Sequence, residues 1–145
     1  MPKLGRVVLY RVGRNLNRAY RTCSSFGAPE LALCECDEAQ LSGGLYGCAG
    51  SVRVVTLDAL PGGANVAAFE TWRGASAHEV AWEGINTVVI GGETSGLPSR
   101  PDWQRVTIPV FPGAISLTVE AALAIALYEW RRYVDSHYQA LSSRP

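Results

Sequence analysis

The stretch Thr87–Leu127 constrains this chain more than any other. It holds two apolar strand-like runs, each broken by glycine, and the second passes directly into a long helix-like segment. The first reads Thr87-Val-Val-Ile-Gly-Gly-Glu-Thr-Ser-Gly-Leu-Pro. The second reads Val106-Thr-Ile-Pro-Val-Phe-Pro-Gly-Ala-Ile-Ser-Leu-Thr-Val-Glu-Ala-Ala-Leu. A strand ending in glycine lets backbone approach a neighbour closely, because no Cβ stands in the way. Two such ends side by side make a crevice at the carboxyl edge of an α/β sheet, where ligands of such folds bind.

The remaining pattern predicts the same class. Strands are expected at Arg6–Tyr10, Glu30–Glu35, Val52–Leu57, Asn65–Glu70, Asn86–Ile90 and Gln104–Val110, all β-branched or apolar runs. Asn15 is placed to cap a helix over Leu16–Phe26 that Gly27 ends. Ser116–Tyr133 carries apolar residues at helical spacing, Gln40–Gly50 reads as loop with a short helical turn, and Ala75–Gly84 is ambiguous. Alternation of this kind predicts a Rossmann-like, mostly parallel sheet with helices on both faces. At 145 residues the chain is one domain in length, with 134–145 read as a loose tail.

Composition narrows the function classes. No apolar run reaches the roughly 20 residues of a membrane helix, and Leu4–Tyr10 is followed by arginines rather than a cleavage site. A cytoplasmic protein with no membrane partner is expected. Cys23, Cys34, Cys36 and Cys48 form no C-x-x-C pair, and His78 and His137 stand alone. No metal site is expected, and the thiols read as buried or half-buried. Net charge is zero, yet Lys3, Arg6, Arg11, Arg14, Arg18 and Arg21 precede the first acidic residue. Phosphate contact needs a local basic patch rather than a basic whole, which makes Arg14, Arg18 and Arg21 candidate nucleic-acid contacts, beside the reading of an ordinary solvated helix face. Trp72, Trp82 and Trp103 are candidate surface anchors, whereas Leu123, Leu127 and Trp130 read as core or interface.

The turn after the first strand, Arg11-Val-Gly-Arg-Asn-Leu, lacks G-x-G-x-x-G, and neither a P-loop nor a G-x-S-x-G elbow occurs. Three other motifs stand in order over about residues 6–133. They are Asn15-Leu-Asn-Arg-Ala-Tyr-Arg21-Thr-Cys-Ser-Ser-Phe26-Gly27, then Gly91-Gly-Glu93-Thr-Ser-Gly96-Leu97. The third is Ile108-Pro109 with Ser116-Leu-Thr118-Val-Glu120 and Leu127-Tyr128-Glu129. In this combination the chain resembles the SpoU (TrmH) branch of the SPOUT RNA methyltransferases.

That resemblance implies a C-terminal deep trefoil knot, a homodimer with its active site at the subunit interface, and S-adenosylmethionine as cofactor. It implies methyl transfer to RNA at a ribose 2′-hydroxyl, with tRNA favoured over rRNA for so short a chain. Carried over by motif, Phe69, Gly91, Gly96, Ile108, Ser116 and Leu117 would contact the cofactor. Arg21, Asn15, Glu93, Ser116 and Thr118 would serve catalysis. An arginine is a poor literal base because its pKa exceeds about 12, so Arg21 is read as stabilising the developing alkoxide and holding the adjacent phosphate. Asn15 can equally be a cap, and Glu93 a carboxylate that bonds loop amides. Three positions depart from the family pattern. Asn17 stands where Gly is usual, Thr118 where Asn is, and Glu120 where Ser is. They leave open a catalytically weakened RNA-binding dimer, or a different acceptor such as a base nitrogen.

Overall fold

The computed structural model describes residues 4–28, 30–36, 51–71, 74–92 and 96–142. Seven strands form one sheet: β1 (Arg6–Tyr10), β2 (Glu30–Cys34), β3 (Ser51–Val54), β4 (Val66–Phe69), β5 (Ala75–Ser76), β6 (Thr87–Gly91) and β7 (Gln104–Thr107). Their order is β3-β2-β1-β6-β4-β7-β5, and every strand pair is parallel. A parallel sheet covered on both faces needs near-continuous apolar strands, and Val7–Tyr10, Val66–Phe69 and Val88–Ile90 are all buried. The two-residue β5, at the sheet's edge, is too short to carry a period and accounts for the ambiguity of that segment.

Helix α1 (Leu16–Ser25) buries Leu16, Ala19, Tyr20 and Cys23, one face at helical spacing. It ends as the sequence predicts. Gly27 adopts φ 74°, its N–H bonds Ser24 O at 3.1 Å, and Ala28 N–H bonds Cys23 O at 2.9 Å. This is the double bond of a glycine-terminated helix end. Helix α2 (Val119–Ser142) buries Val119, Leu123, Ala126, Leu127, Trp130 and Val134. It runs past Tyr133, so the backbone from 134 to 142 is helical rather than a loose tail.

Of the helices expected on both faces, the described residues place the two α-helices on one. Among the described residues α1 and α2 pack together over the face carrying Val7, Leu9, Leu31, Leu33, Val88 and Ile90. The opposite face, with Val8, Ala32, Val66, Ala68 and Val89, is covered by Leu57, Leu60, Leu97 and Trp103 from a short 3-10 turn and coil. Gln40–Gly50 lies outside the described residues. Trp82 and Trp103 are not surface anchors. Trp82 is buried against Phe69 with ring centroids 6.4 Å apart, and its indole N–H bonds Ala77 O at 3.2 Å. Trp103 is buried and donates to Pro61 O at 2.9 Å. Trp72 lies outside the described residues. No described helix is long and apolar enough to cross a membrane.

Candidate functional site

The central strands β6 and β7 flank β4 on either side, so the carboxyl ends of all three converge. There the chain leaves a cavity of about 290 Å³. Phe69 contributes from β4, Ile90, Gly91 and Gly92 from β6 and its turn, and Gly96 and Leu97 from the returning loop. Ile108, Val110, Ser116 and Leu117 come from the segment joining β7 to α2, and Val119 and Ala122 from the first turn of α2. All six residues expected to contact the cofactor therefore border one cavity: Gly91, Gly96, Ile108, Ser116 and Leu117 from the motifs, and Phe69 from an earlier strand end. Glu70 and Thr71 complete the wall. No motif marks these two, and their only signal in sequence is that they follow a strand end.

The glycines have a different cause from the one expected. A Cβ on Gly91 would collide with the carbonyl of Gly96, so residue 91 is glycine because the loop folds back onto its Cα. Gly96 takes φ 65°, its N–H bonds Gly92 O at 2.9 Å, and Gly92 N–H bonds Tyr10 O at 2.8 Å. Gly91, Gly92 and Gly96 thereby form one wall of the cavity.

The start of α2 is set by Thr118. Its hydroxyl accepts a bond from Ala121 N–H at 3.2 Å, the geometry of an N-cap. The helix therefore begins at Val119, and Ser116 and Leu117 stay outside it and line the cavity. Asn15 does the reverse of what was expected. It occupies the position before α1 at φ 59°, ψ 30°, with no side-chain cap bond. Its carbonyl still accepts from Ala19 N–H at 3.0 Å.

Arg14, Arg18 and Arg21 are all exposed on or beside α1. Arg18 pairs with Glu120 at 3.8 Å across the two helices, which answers the negative charge that Glu120 brings. Among the described residues Arg14 and Arg21 enter no ion pair. Arg21, Asn15 and Thr118 do not border the cavity, whereas Ser116 does. Glu93 lies outside the described residues. Burial pushes the Cys23 thiol up to about 12 and raises Cys34 and Cys36 as well, which leaves these thiols protonated and poor metal ligands at neutral pH. Among the described residues no group of three or more His, Cys, Asp or Glu could hold a metal.

No family model matches this sequence, and no curated protein does. Solved structures do. One, from work on 2-OH methylation of C/U34 on tRNA, matches with TM-score 0.77 at 24% identity, covering 94% of this chain and 99% of that one. The SpoU methyltransferase AviRb from Streptomyces viridochromogenes, in complex with AdoMet, matches with TM-score 0.75 at 18% identity over 94% of this chain. An AdoMet-bound rRNA methyltransferase from Sinorhizobium meliloti matches with TM-score 0.73 at 23% identity over 92% of this chain. The chain spans 60% and 57% of the lengths of those last two. The resemblance first visible in three short motifs thus extends to the backbone, and the chain has the fold of the SpoU-type RNA methyltransferases.

Proposed function

We propose that this chain is an S-adenosylmethionine-dependent RNA methyltransferase that modifies a ribose 2′-hydroxyl, with tRNA favoured as substrate. In this reading it is a single-domain, cytoplasmic homodimer whose C-terminal part carries the family's trefoil knot. The observation that carries the proposal is the convergence of five motif residues and Phe69 on one cavity at the carboxyl ends of β4, β6 and β7. At about 290 Å³ the cavity stands at the lower end of small-molecule sites, which begin at about 300 Å³. Its walls are mostly apolar side chains interleaved with glycine backbone, the lining an adenosine with a short polar tail requires. When bound, the cofactor supplies a methyl group activated on sulfonium.

The chain's own residues then have three tasks. Gly91, Gly96 and Leu117 offer backbone groups to the polar edges of the cofactor, and Phe69 and Ile108 exclude water from it. Arg21 draws the acceptor's phosphate and stabilises negative charge growing on the 2′-oxygen as its proton leaves. Arg14 adds salt-sensitive phosphate attraction, and Arg18 does so in competition with Glu120. Arg21 does not border the cavity of its own chain, so the reading places the partner's Arg21 over it. Support for a homodimer comes from apolar side chains left in solvent near the cavity mouth. Phe111 is 83% and Ile115 90% exposed, and Ile125 and Tyr128 lie a turn apart on the outer face of α2. Phe111 and Ile115 stand within the segment that lines the cavity, between Val110 and Ser116, and apolar side chains exposed beside a site suit an interface.

Calorimetric titration with S-adenosylhomocysteine, beside the Ala122→Phe variant that fills the cavity, tests the proposal. Wild type should bind, and the variant should lose at least about tenfold in affinity, as filling a ligand site removes several contacts at once. Methyl transfer from labelled cofactor to tRNA, followed by digestion to nucleosides, should yield a 2′-O-methylated product. No binding to wild type, or label on a base, would overturn the reading.

A further inference from the structure

The cavity contains one group that none of the motifs explains. Among its described lining residues Glu70 is the one ionisable side chain. It follows β4 directly, at the centre of the convergence of β4, β6 and β7. Its backbone is held firmly, since Glu70 N–H bonds Val106 O at 2.8 Å and the Thr107 hydroxyl bonds Thr71 O at 2.8 Å. A carboxylate carried on so fixed a backbone has a defined direction.

Its charge is also compensated. Arg105 Nη1 lies 3.5 Å from Glu70 Oε1, both side chains being about three-quarters buried. Arg105 Nη2 faces the carbonyls of Pro98 and Arg100 at 3.4 Å each, so the guanidinium is anchored to the loop that closes the cavity. Among the described residues the Glu70 carboxylate accepts no hydrogen bond, and the 3.5 Å contact with Arg105 leaves Nη1 itself without one. The Glu70 oxygens are not sealed from solvent, so water can serve them in the free chain and a ligand's donors can take that water's place. The donor it suits is neutral. With Arg105 beside it the pair has no net charge, so a ligand cation would meet the guanidinium as well as the carboxylate. Two adjacent hydroxyls match two carboxylate oxygens, and an acidic residue after a strand at the ligand edge of a parallel sheet binds ribose in this way.

We infer that Glu70 is the cavity's ribose-recognising residue, accepting hydrogen bonds from the vicinal hydroxyls of a bound nucleoside and held in place by Arg105. The inference rests on the cofactor reading above and assigns which part of the cofactor meets which wall.

The experiment compares S-adenosylhomocysteine with its 2′-deoxy analogue by calorimetry in wild type, Glu70→Gln, Glu70→Asp and Glu79→Gln. Hydrogen bonds to a charged acceptor predict that the deoxy analogue binds wild type about tenfold or more weakly. Glu70→Gln, whose amide oxygen still accepts but carries no charge, should lose most of that difference, and Glu70→Asp should retain part of it while keeping a charge near Arg105. Glu79→Gln, at an exposed carboxylate outside the cavity lining, should retain all of it. Equal binding of both ligands to wild type, or undiminished discrimination in Glu70→Gln, overturns the assignment and leaves the cofactor reading standing. Failure of wild type to bind S-adenosylhomocysteine overturns both. Glu70→Asp keeps the ion pair, so it remains informative if Glu70→Gln does not fold.

Discussion

At the scale of single residues, the two helix starts exchange the roles that their residue types advertise. Asn15 is among the best N-cap residues and Thr118 a weaker one, yet Thr118 makes the cap bond and Asn15 does not. The cause is backbone. Asn15 enters α1 from the left-handed region, a conformation its side chain tolerates but that aims it away from the first-turn amides. No sequence pattern reveals φ at a single residue, so this exchange was not legible beforehand. It has measurable consequences in chemical denaturation. Asn15→Gly should leave stability within a few tenths of a kcal/mol, because glycine accepts positive φ, whereas Asn15→Ala should cost about 1 kcal/mol. Thr118→Ala should cost about 1 kcal/mol as the cap is lost, while Thr118→Asn should cost almost nothing. The family-like pair Thr118→Asn with Glu120→Ser is therefore a fair probe of methyl transfer. Turnover rising from none would favour the weakened reading, and turnover already present in wild type would exclude it.

At the scale of elements, the sheet was legible because buried parallel strands are written as continuous apolar runs, and β1, β2, β4 and β6 fall within a residue of their expected bounds. Strand order was not legible, since nothing local states that β6 inserts between β1 and β4. The place of the first glycine turn at the cavity was legible, although its reason was not, whereas Gly113 of the second turn does not line the cavity. Gly91 serves the packing of loop on strand, and the ligand benefits at second hand. Gly91→Ala should accordingly destabilise the fold by roughly 1–3 kcal/mol, as overpacking does, and should weaken S-adenosylhomocysteine in calorimetry by displacing the loop. A second joint ties the turn before β4 to the one before β7. Asp102 accepts from Gly63 N–H at 2.8 Å and from Arg100 Nε at 3.2 Å, while Arg100 lies 4.8 Å over the Trp103 ring. The Arg100 guanidinium and the Gly63 amide hold the Asp102 carboxyl below its ordinary 3.8. A depressed carboxyl stabilises the fold above its unfolded-state value and loses that contribution as pH falls through its folded-state value. Asp102→Asn should therefore lower the urea midpoint at neutral pH, and the gap from wild type should close as pH drops below 3.8. A gap that persists in acid would assign the joint to shape rather than charge.

At the scale of the whole molecule, the cavity and the arginine proposed to act at it stand apart. Cofactor-type residues gather in one place, while Arg21 faces solvent on α1 and does not line the cavity. The sequence motifs could not reveal this separation, because motif order carries no information about which surface a helix presents. If a second copy closes the site, its exposed apolar rim must hold the two copies together. Phe111→Asp with Ile115→Asp should then shift the chain from dimer to monomer in sedimentation, since paired charges in an apolar interface are desolvated without partners. Methyl transfer should fall with it while α/β circular dichroism is unchanged. Whether Arg21 acts across the interface can be read directly by mixing two inactive variants. Arg21→Ala retains an open cavity, and Ala122→Phe retains Arg21 but blocks its own cavity. Random reassociation of equal amounts makes half the dimers mixed, and a mixed dimer has one open cavity facing an intact Arg21 of the partner. Transfer should return to about a quarter of the wild-type rate under C2 pairing. If Arg21 instead served the cavity of its own chain, every site in the mixture would lack either the arginine or the space for cofactor, and no activity would return.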